Sequence, residues 1–154
     1  YTQEEKNQAR RKYVSIIFQD NNLLSDFTAI ENVMMPLIIK GEKNSTSANK
    51  AIKILKEVKI FNRVNHFPSE LSGGEQQRVS IARALAAETD LILADEPTGN
   101  LDFKTSENIF KYFLKLKKMG KAIIFATHNR ELANKADYKL SIFRGNIKRS
   151  NARG

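Results

Sequence analysis

Short apolar runs alternate with helical segments in the second half of the chain. Residues 91–94 and 122–126 are apolar, and the residues between them, 104–118, have helical character. Apolar runs of about four to eight residues between polar turns predict buried strands. Strands that alternate with helices favour a mainly parallel sheet joined by right-handed crossovers. The pattern therefore predicts an α/β fold, followed by a short helix over 130–136 and a hairpin that begins at 140–143 and turns at Gly145 and Asn146.

The first half of the chain has a different pattern. Residues 13–18 are apolar and β-branched and predict one more strand, whereas residues 20–87 contain no good strand. Thr28 and Glu31 form a capping box ahead of a helix to residue 39, which Pro36 should shorten or bend. A polar linker over 41–47, a helix over 51–58 and a long helix that ends near Ala87 follow. We expect one domain, with an α/β core from 1–19 and 88–154 and a helical subdomain over 20–87.

Composition limits the classes of protein to which the chain can belong. The 154 residues are 41% hydrophobic, enough for one core, and include no cysteine for a disulfide or a thiolate metal site. No apolar run approaches the roughly 18 residues of a membrane helix. The net charge of +9 is scattered and not interleaved with aromatic residues, so it favours a solvated surface over a nucleic-acid site.

Two motifs carry the chemistry. In the sequence LSGGEQQ, Ser72 and Glu75 form a capping box that starts a helix, yet Gly73 and Gly74 each cost about 1 kcal/mol relative to alanine there. That cost favours a backbone that an anion approaches at a helix N-terminus. Downstream, LILADEPTGNLD places two adjacent acids at the end of a strand, where open α/β sheets bind ligands. Strand alternation turns the two acids in different directions, which suits two separate roles.

Together these motifs resemble the signature loop and the Walker B strand of an ATP-binding cassette (ABC) ATPase, and the resemblance extends from Val14 to Ile147. It implies a P-loop NTPase-type (RecA-like) sheet with an α-helical subdomain. The phosphate loop G-x-x-x-x-G-K-S/T does not occur, because Ala122 follows the only Gly-Lys pair, Gly120 and Lys121. The chain starts at Tyr1, so we interpret it as a fragment whose N-terminal strands and Walker A segment are missing.

The resemblance implies two groups of site residues. One group contacts the nucleotide held by a second, head-to-tail domain of the same kind; it comprises Ser72, Gly73, Gly74, Gln76 and Asp102. The other acts on the hydrolytic reaction, for which Mg²⁺ and ATP are the implied cofactor and substrate; it comprises Gln19, Asp95, Glu96 and His128.

The implied roles within the second group are specific. Asp95 holds Mg²⁺, Glu96 is the general base for the attacking water, and Gln19 contacts both the metal ion and the water. His128, which follows the strand over 122–126, contacts the γ-phosphate. For Asp102, a simple helix cap is the alternative, and both roles are compatible.

The resemblance also suggests a branch of the family. DEPTGNLD looks like the exporter branch, and LLSDFTAIENVMMPLII looks most like the ATP-binding subunit of lipoprotein-releasing systems of Gram-negative bacteria. It implies a peripheral protein on the cytoplasmic face of the inner membrane, bound to membrane exporter subunits through residues between Leu23 and Pro36. Lipoprotein-releasing members often carry Tyr-Gln and then paired histidines, whereas Phe18 precedes Gln19 here and asparagines follow, so the branch stays open.

Three alternatives differ in function. A macrolide-export or cell-division ATPase is the sibling alternative. A DNA-organising ATPase of the structural-maintenance type would need a coiled coil between Gln19 and Ser72, and no heptad run lies there. A degenerate regulatory cassette is disfavoured by Glu96 and His128.

Overall fold

The computed structural model describes residues 1–151. Its helices and strands, in chain order, are α1 (Gln3–Tyr13), β1 (Val14–Ile17), α2 (Ala29–Ile39), α3 (Asn44–Glu57), α4 (Gly73–Ala86), β2 (Leu91–Asp95), α5 (Phe103–Lys118), β3 (Ala122–Ala126), α6 (Arg130–Asn134), β4 (Tyr138–Phe143) and β5 (Asn146–Asn151). Two 3₁₀ turns, Phe61–Arg63 and Pro68–Glu70, lie between α3 and α4. None of the helices over residues 1–151 combines the length and apolar character that crossing a membrane requires.

The three strands β1, β2 and β3 form a parallel sheet with β2 in the middle. Its register aligns Ile17 with Ala94 and Ala94 with Phe125. The predicted α/β fold with a parallel sheet is therefore confirmed. Strands β4 and β5 form a separate antiparallel hairpin, as predicted, but its turn lies one residue earlier, at Arg144 and Gly145. Both turn residues have positive φ, as the tightest hairpin turns require.

Only helices and turns lie between β1 and β2, and α2, α3 and α4 pack on one another. Helix α2 begins after Thr28, whose N–H and hydroxyl donate to the Glu31 carboxylate at 2.8 and 2.6 Å. The helix continues through Pro36 to Ile39. Its buried face is Ala29, Val33 and Leu37, one residue per turn.

The predicted polar linker over residues 41–47 is wrong in its second half, because α3 begins at Asn44. Ser47, Ala51 and Leu55 recur at every fourth position, and each is fully buried. Packing of that stripe against α2 and α4 therefore extends the helix into a segment that local propensity disfavours.

Helices α4 and α5 pack on the sheet, at β1 and β3 respectively. They extend the core over Ile17, Ile92 and Ala94 on the strands and over Ile109, Phe110 and Phe113 on α5. The strand ends that carry the predicted site residues lie beyond this core.

Candidate active site

The carboxyl ends of the three parallel strands meet at one edge of the sheet. Gln19 follows β1, Asp95 ends β2, and Thr127 and His128 follow β3. The register pairs Asp95 with Ala126, so the residues after β2 and β3 are neighbours. Four of the sequence-predicted residues, Gln19, Asp95, Glu96 and His128, thus lie at or just beyond a single sheet edge, where parallel α/β sheets bind their ligands.

The Glu96 carboxylate is fixed by the segment that follows β3. Its Oε1 accepts a hydrogen bond from the His128 backbone N–H at 2.6 Å, and its Oε2 accepts one from the Thr127 hydroxyl at 3.0 Å. The side chain is only 17% exposed. Hydrogen bonds to a carboxylate hold it in one orientation, so the structure gives Glu96 a defined direction at the sheet edge.

The backbone of Glu96 is also unusual. Its φ is +43°, in the left-handed region that residues with a side chain rarely adopt. The Glu96 N–H still donates to the Ala126 carbonyl at 3.0 Å, which extends the β2–β3 ladder by one residue. Such strain costs on the order of 1–3 kcal/mol and concentrates at functional sites, where the surrounding structure maintains it.

The other residues at this edge face solvent. Asp95 and Gln19 are exposed. The His128 ring is fully exposed, and its Nε2 lies 3.9 Å from Glu96 Oε1. The edge therefore presents an imidazole, an amide and two carboxylates to a ligand in solvent.

The helix that carries the signature, α4, begins at Gly73 and has Ser72 as its N-cap, as predicted. The Ser72 Oγ accepts from the Glu75 N–H at 3.4 Å, and the Ser72 N–H donates to the Glu75 carboxylate at 2.9 Å. The Arg63 Nε donates to the same carboxylate at 3.0 Å. The Ser72 N–H, followed by Arg63, holds the pKa of Glu75 below its usual value, so this capping box keeps its charge.

The two signature glycines differ in their surroundings. A Cβ on Gly74 would lie 3.0 Å from the carbonyl oxygen of Asn100, whereas a Cβ on Gly73 would meet open space. The close approach that Gly74 requires is therefore to this chain's own backbone. Ser72 and Gly73 are exposed, whereas Gly74 is partly buried. No hydrogen bond or ion pair within residues 1–151 joins signature residues 72–76 to Glu96 or His128.

The amide of Gln76 is engaged inside the fold. Its Nε2 donates to the carbonyls of Pro68 and Leu71 at 2.9 and 3.2 Å. It fastens the turn that precedes the signature. A contact between Gln76 and a nucleotide remains a prediction, and this geometry directs the amide nitrogen elsewhere.

Asp102 caps helix α5. Its carboxylate accepts from the Thr105 N–H at 2.9 Å and from the Thr105 hydroxyl at 2.5 Å. The Thr105 hydroxyl is the main cause that lowers the pKa of Asp102. The capping role that the sequence suggested for Asp102 is thus present, and the Asp102 side chain is also exposed to solvent.

Sequence reasoning missed two residues that hold the site. Thr127 binds Glu96, and Arg63 binds Glu75. A hydroxyl next to His128 at a strand end was a usable signal for Thr127. No signal in the sequence pointed to Arg63, because only the folding of a 3₁₀ turn brings Arg63 to the start of α4.

Comparison with known proteins gives one consistent family. Residues 1–99 match a family model described as ABC transporter. The chain is 48% identical over 147 residues to the lipoprotein-releasing system ATP-binding protein LolD of Rhodopseudomonas palustris (strain BisB5), covering 95% of this chain and 63% of that protein. It is 49% identical over 134 residues to LolD of Rickettsia bellii (strain RML369-C), covering 85% of this chain and 61% of the relative. The chain therefore spans less than two thirds of the length of these relatives.

Solved structures agree with this family. The ATP-binding cassette MJ0796, in a dimeric post-hydrolysis state bound to ADP and Pi, has a TM-score of 0.93 and 36% identity, and the match covers 100% of this chain and 69% of that one. A second dimeric structure of MJ0796, described as a bacterial ABC transporter cassette, has a TM-score of 0.93 and 37% identity, with the same coverage.

Proposed function

Because this chain belongs to the ABC transporter family, we propose that it is part of the ATP-hydrolysing subunit of an exporter that releases lipoproteins from the inner membrane. The relatives that share 43–49% of its residues carry that function in their names. The macrolide-export and cell-division ATPases remain the sibling alternative.

The observation that carries the proposal is the fixed carboxylate of Glu96. Thr127 and the His128 N–H hold it at the sheet edge on a strained backbone. A carboxylate with a fixed direction can accept a proton from a water that attacks the γ-phosphate. General-base catalysis of this kind contributes roughly 10²–10⁴-fold in rate. The exposed His128 ring, close to the same carboxylate, is suited to contact that phosphate.

The residues at the edge also fit Mg²⁺. No group of three acidic or histidine side chains within residues 1–151 could hold a metal ion by itself. Mg²⁺ bound to a nucleotide needs only one or two protein oxygen ligands, because phosphates and water supply the others. The exposed Asp95 carboxylate and the Gln19 amide oxygen are such ligands at adjacent strand ends. The ion would neutralise developing charge on the phosphates, while Glu96 stays positioned for the water.

The signature supports a head-to-tail pair of such domains. Ser72 and Gly73 leave the first turn of α4 open, and the unpaired N–H groups of a helix start attract an anion. We propose that this turn receives the γ-phosphate of ATP held by the partner domain, with Asp102 near the same interface. The dimers of MJ0796 are consistent with such pairing.

A membrane partner is proposed to dock between Leu23 and Pro36. Leu24 and Phe27 are 40% and 38% exposed there, beside α2, and offer apolar side chains to an exporter subunit. Docking would place the protein on the cytoplasmic face of the inner membrane. Replacing Leu24 and Phe27 with aspartate should release the protein from membranes without weakening ATP binding, which a flotation assay and a nucleotide titration measure together.

The 154-residue chain alone should bind Mg–ATP weakly. Its sequence contains no G-x-x-x-x-G-K-S/T loop, and such a loop supplies a nest of N–H donors and a lysine to the phosphates. Each hydrogen bond to a charged group is worth about 1.5–3 kcal/mol. Titration calorimetry should therefore give no binding at micromolar concentrations. A chimaera that joins a strand and a phosphate loop ahead of Tyr1 should bind and hydrolyse ATP.

The general base is tested in that chimaera. Glu96→Gln should lower kcat by roughly 10²–10⁴-fold and retain ATP in a stable dimer, because the phosphate contacts survive. Glu107→Gln on α5 is the matched control, and its kcat should equal that of the parent chimaera. A Glu96→Gln variant that hydrolyses ATP at the parent rate would exclude the role of Glu96.

A further inference from the structure

The signature helix begins beside a carboxylate of its own. Glu75, the third residue of α4, turns back so that its Oε2 accepts from the Ser72 N–H at 2.9 Å. The carboxylate therefore lies within hydrogen-bond distance of the backbone that we propose receives a phosphate. It keeps its negative charge at neutral pH, because the Ser72 N–H and then Arg63 hold the pKa of Glu75 below its usual value.

A negative charge at this place opposes the binding of an anion. The N-terminus of a helix attracts a phosphate with the equivalent of about half a positive charge. An uncompensated carboxylate carries a full negative charge and would more than cancel that attraction. Water screens the repulsion only in part, since the Glu75 side chain is 17% exposed. A phosphate site at the first turn of α4 therefore requires a positive charge that balances Glu75.

Arg63 supplies such a charge. Its Nε donates to Glu75 Oε1 at 3.0 Å, so the guanidinium and the carboxylate form a neutral pair at the start of α4. A guanidinium keeps its proton at every pH at which the protein is folded, so the balance does not depend on titration of the arginine. The Arg63 side chain is 41% exposed and thus reaches the surface on which the signature lies.

The place of Arg63 is set by backbone contacts with α2. Residues just after the 3₁₀ turn that carries Arg63 accept from the first turn of that helix. The His66 carbonyl accepts from the Ala29 N–H at 2.8 Å, and the Val64 carbonyl accepts from the Ile30 N–H at 2.9 Å. Helix α2 packs in turn on α4. Packing of the helical subdomain therefore brings Arg63 to Glu75.

We propose that Arg63 is a positioning residue of the signature, which acts through Glu75 by holding and neutralising its carboxylate so that the first turn of α4 can receive the partner's γ-phosphate. The role rests on the proposed function in placing that phosphate at Ser72 and Gly73. Without Arg63, the capping box would remain, but it would present a net negative charge to the partner's nucleotide.

The charge balance is tested in the chimaera with a phosphate loop, in its Glu96→Gln form, which should hold ATP in a stable dimer. Arg63→Met keeps the apolar stem of the side chain and removes the charge. The dissociation constant of the ATP-bound dimer, measured by sedimentation, should rise about tenfold in this variant, because like charges then face each other. The rise should shrink when salt is added, since ions screen the repulsion.

Removal of the carboxylate should make Arg63 dispensable. In the Glu75→Gln background, which keeps an amide oxygen for the Ser72 N–H, Arg63→Met should change the dissociation constant less than about threefold. Glu70→Gln is the matched control, because the exposed Glu70 caps the preceding turn by accepting from the Phe67 N–H at 2.7 Å. Arg63 pairs with Glu75 and not with Glu70, so the tenfold effect should persist in the Glu70→Gln background.

An arginine that only stabilises the helix cap would give a different result. Arg63→Met would then weaken the dimer equally with and without the Glu75 carboxylate; that result, or an unchanged dissociation constant, would overturn the charge balance. If Arg63→Met does not fold, Arg63→Gln decides by the same criterion. A parent that does not dimerise with ATP would refute the head-to-tail pairing on which the role depends. A parent that dimerises but is insensitive to Arg63→Met would refute the role of Arg63 alone.

Discussion

The two faces of the parallel sheet differ sharply in burial, although both are apolar. On the face toward α4 and α5, Ile17, Ile92 and Ala94 are 0%, 3% and 5% exposed. On the opposite face, Ile16 and Ile124 are 40% and 52% exposed, and the neighbouring strand residues are only partly buried. Side chains alternate between the two faces along a strand, so the adjacent residues Ile16 and Ile17 lie on opposite faces. Ile17 lies on the covered face and Ile16 on the open face.

The strands are therefore apolar on both faces, although residues 1–151 bury only one of them. Parallel sheets are usually covered on both faces, and their strands then read as continuous apolar runs. The runs over 14–17 and 122–126 have that character. The covered face therefore carries the stability of this sheet, and the second face is an apolar surface suited to another packing layer.

The largest effect is expected from a pair of adjacent substitutions. Ile17→Ala should reduce the free energy of unfolding by about 2–5 kcal/mol, because it leaves a cavity against α4. Ile16→Ala should cost about 1 kcal/mol or less, since its side chain is already partly in water. Urea denaturation of the chain measures both.

The chimaera with the added phosphate loop offers a second test of the difference between the two faces. If its added segment packs on the open face, the cost of Ile16→Ala should rise toward that of Ile17→Ala. Equal costs in the 154-residue chain would show that both faces are already covered and would break the comparison.

A smaller effect concerns self-association. The open face presents apolar side chains, and within residues 1–151 no strand pairs with the outer edge of β3; both features promote contacts between chains. Replacing Ile16 and Ile124 with lysine should weaken association, by roughly 1.5–3 kcal/mol for each isoleucine that an interface would bury. Sedimentation at increasing protein concentration measures it. Ile142→Lys on the β4–β5 hairpin is the control, and an equal gain in solubility there would attribute the effect to charge alone.

The smallest effect on stability is expected from an ion pair at the end of the sheet, which belongs to neither face. The Lys121 ammonium donates to Asp90 at 2.8 Å and is the main cause that lowers the pKa of Asp90. A carboxyl whose folded pKa lies below the unfolded value of about 3.9 adds stability above that pH. This stability is lost as the pH falls through the folded pKa.

Lys121→Met should return the pKa of Asp90 toward its ordinary value and weaken the pH dependence of the urea unfolding midpoint below about pH 4. An NMR titration of the Asp90 carboxyl, with urea midpoints over the same range, measures both quantities. An unchanged Asp90 titration in the variant would show that other lysines dominate.

Much of the candidate site could be predicted because its signals are local. The capping box of Ser72 and Glu75 lies within one helical turn, and the acids that end β2 follow a short apolar run. Helix α1 was also readable from the sequence. Thr2 and Glu5 cap it, and Arg10, Arg11 and Lys12 face the negative end of its dipole. This helix has no apolar stripe in its sequence, so hydrophobic periodicity does not predict it, and in the structure none of its residues is buried.

Tertiary structure alone decided how these local pieces work together. Local patterns determined the α/β fold and predicted the candidate site at the strand ends. These patterns are the alternation of strands and helices, the capping box of Ser72 and the paired acids Asp95 and Glu96, and each depends on residues a few positions apart. Three contacts join segments that are distant in sequence. They are the hydrogen bond from Thr127 to Glu96, the close approach of Gly74 to the Asn100 carbonyl, and the hydrogen bonds from Arg83 to the carbonyls of Asn21 and Asn22. Such contacts form only when packing of the core brings those segments together, because hydrogen bonds and steric contacts act over a few ångströms in space. The spacing of the residues in the sequence therefore does not predict them.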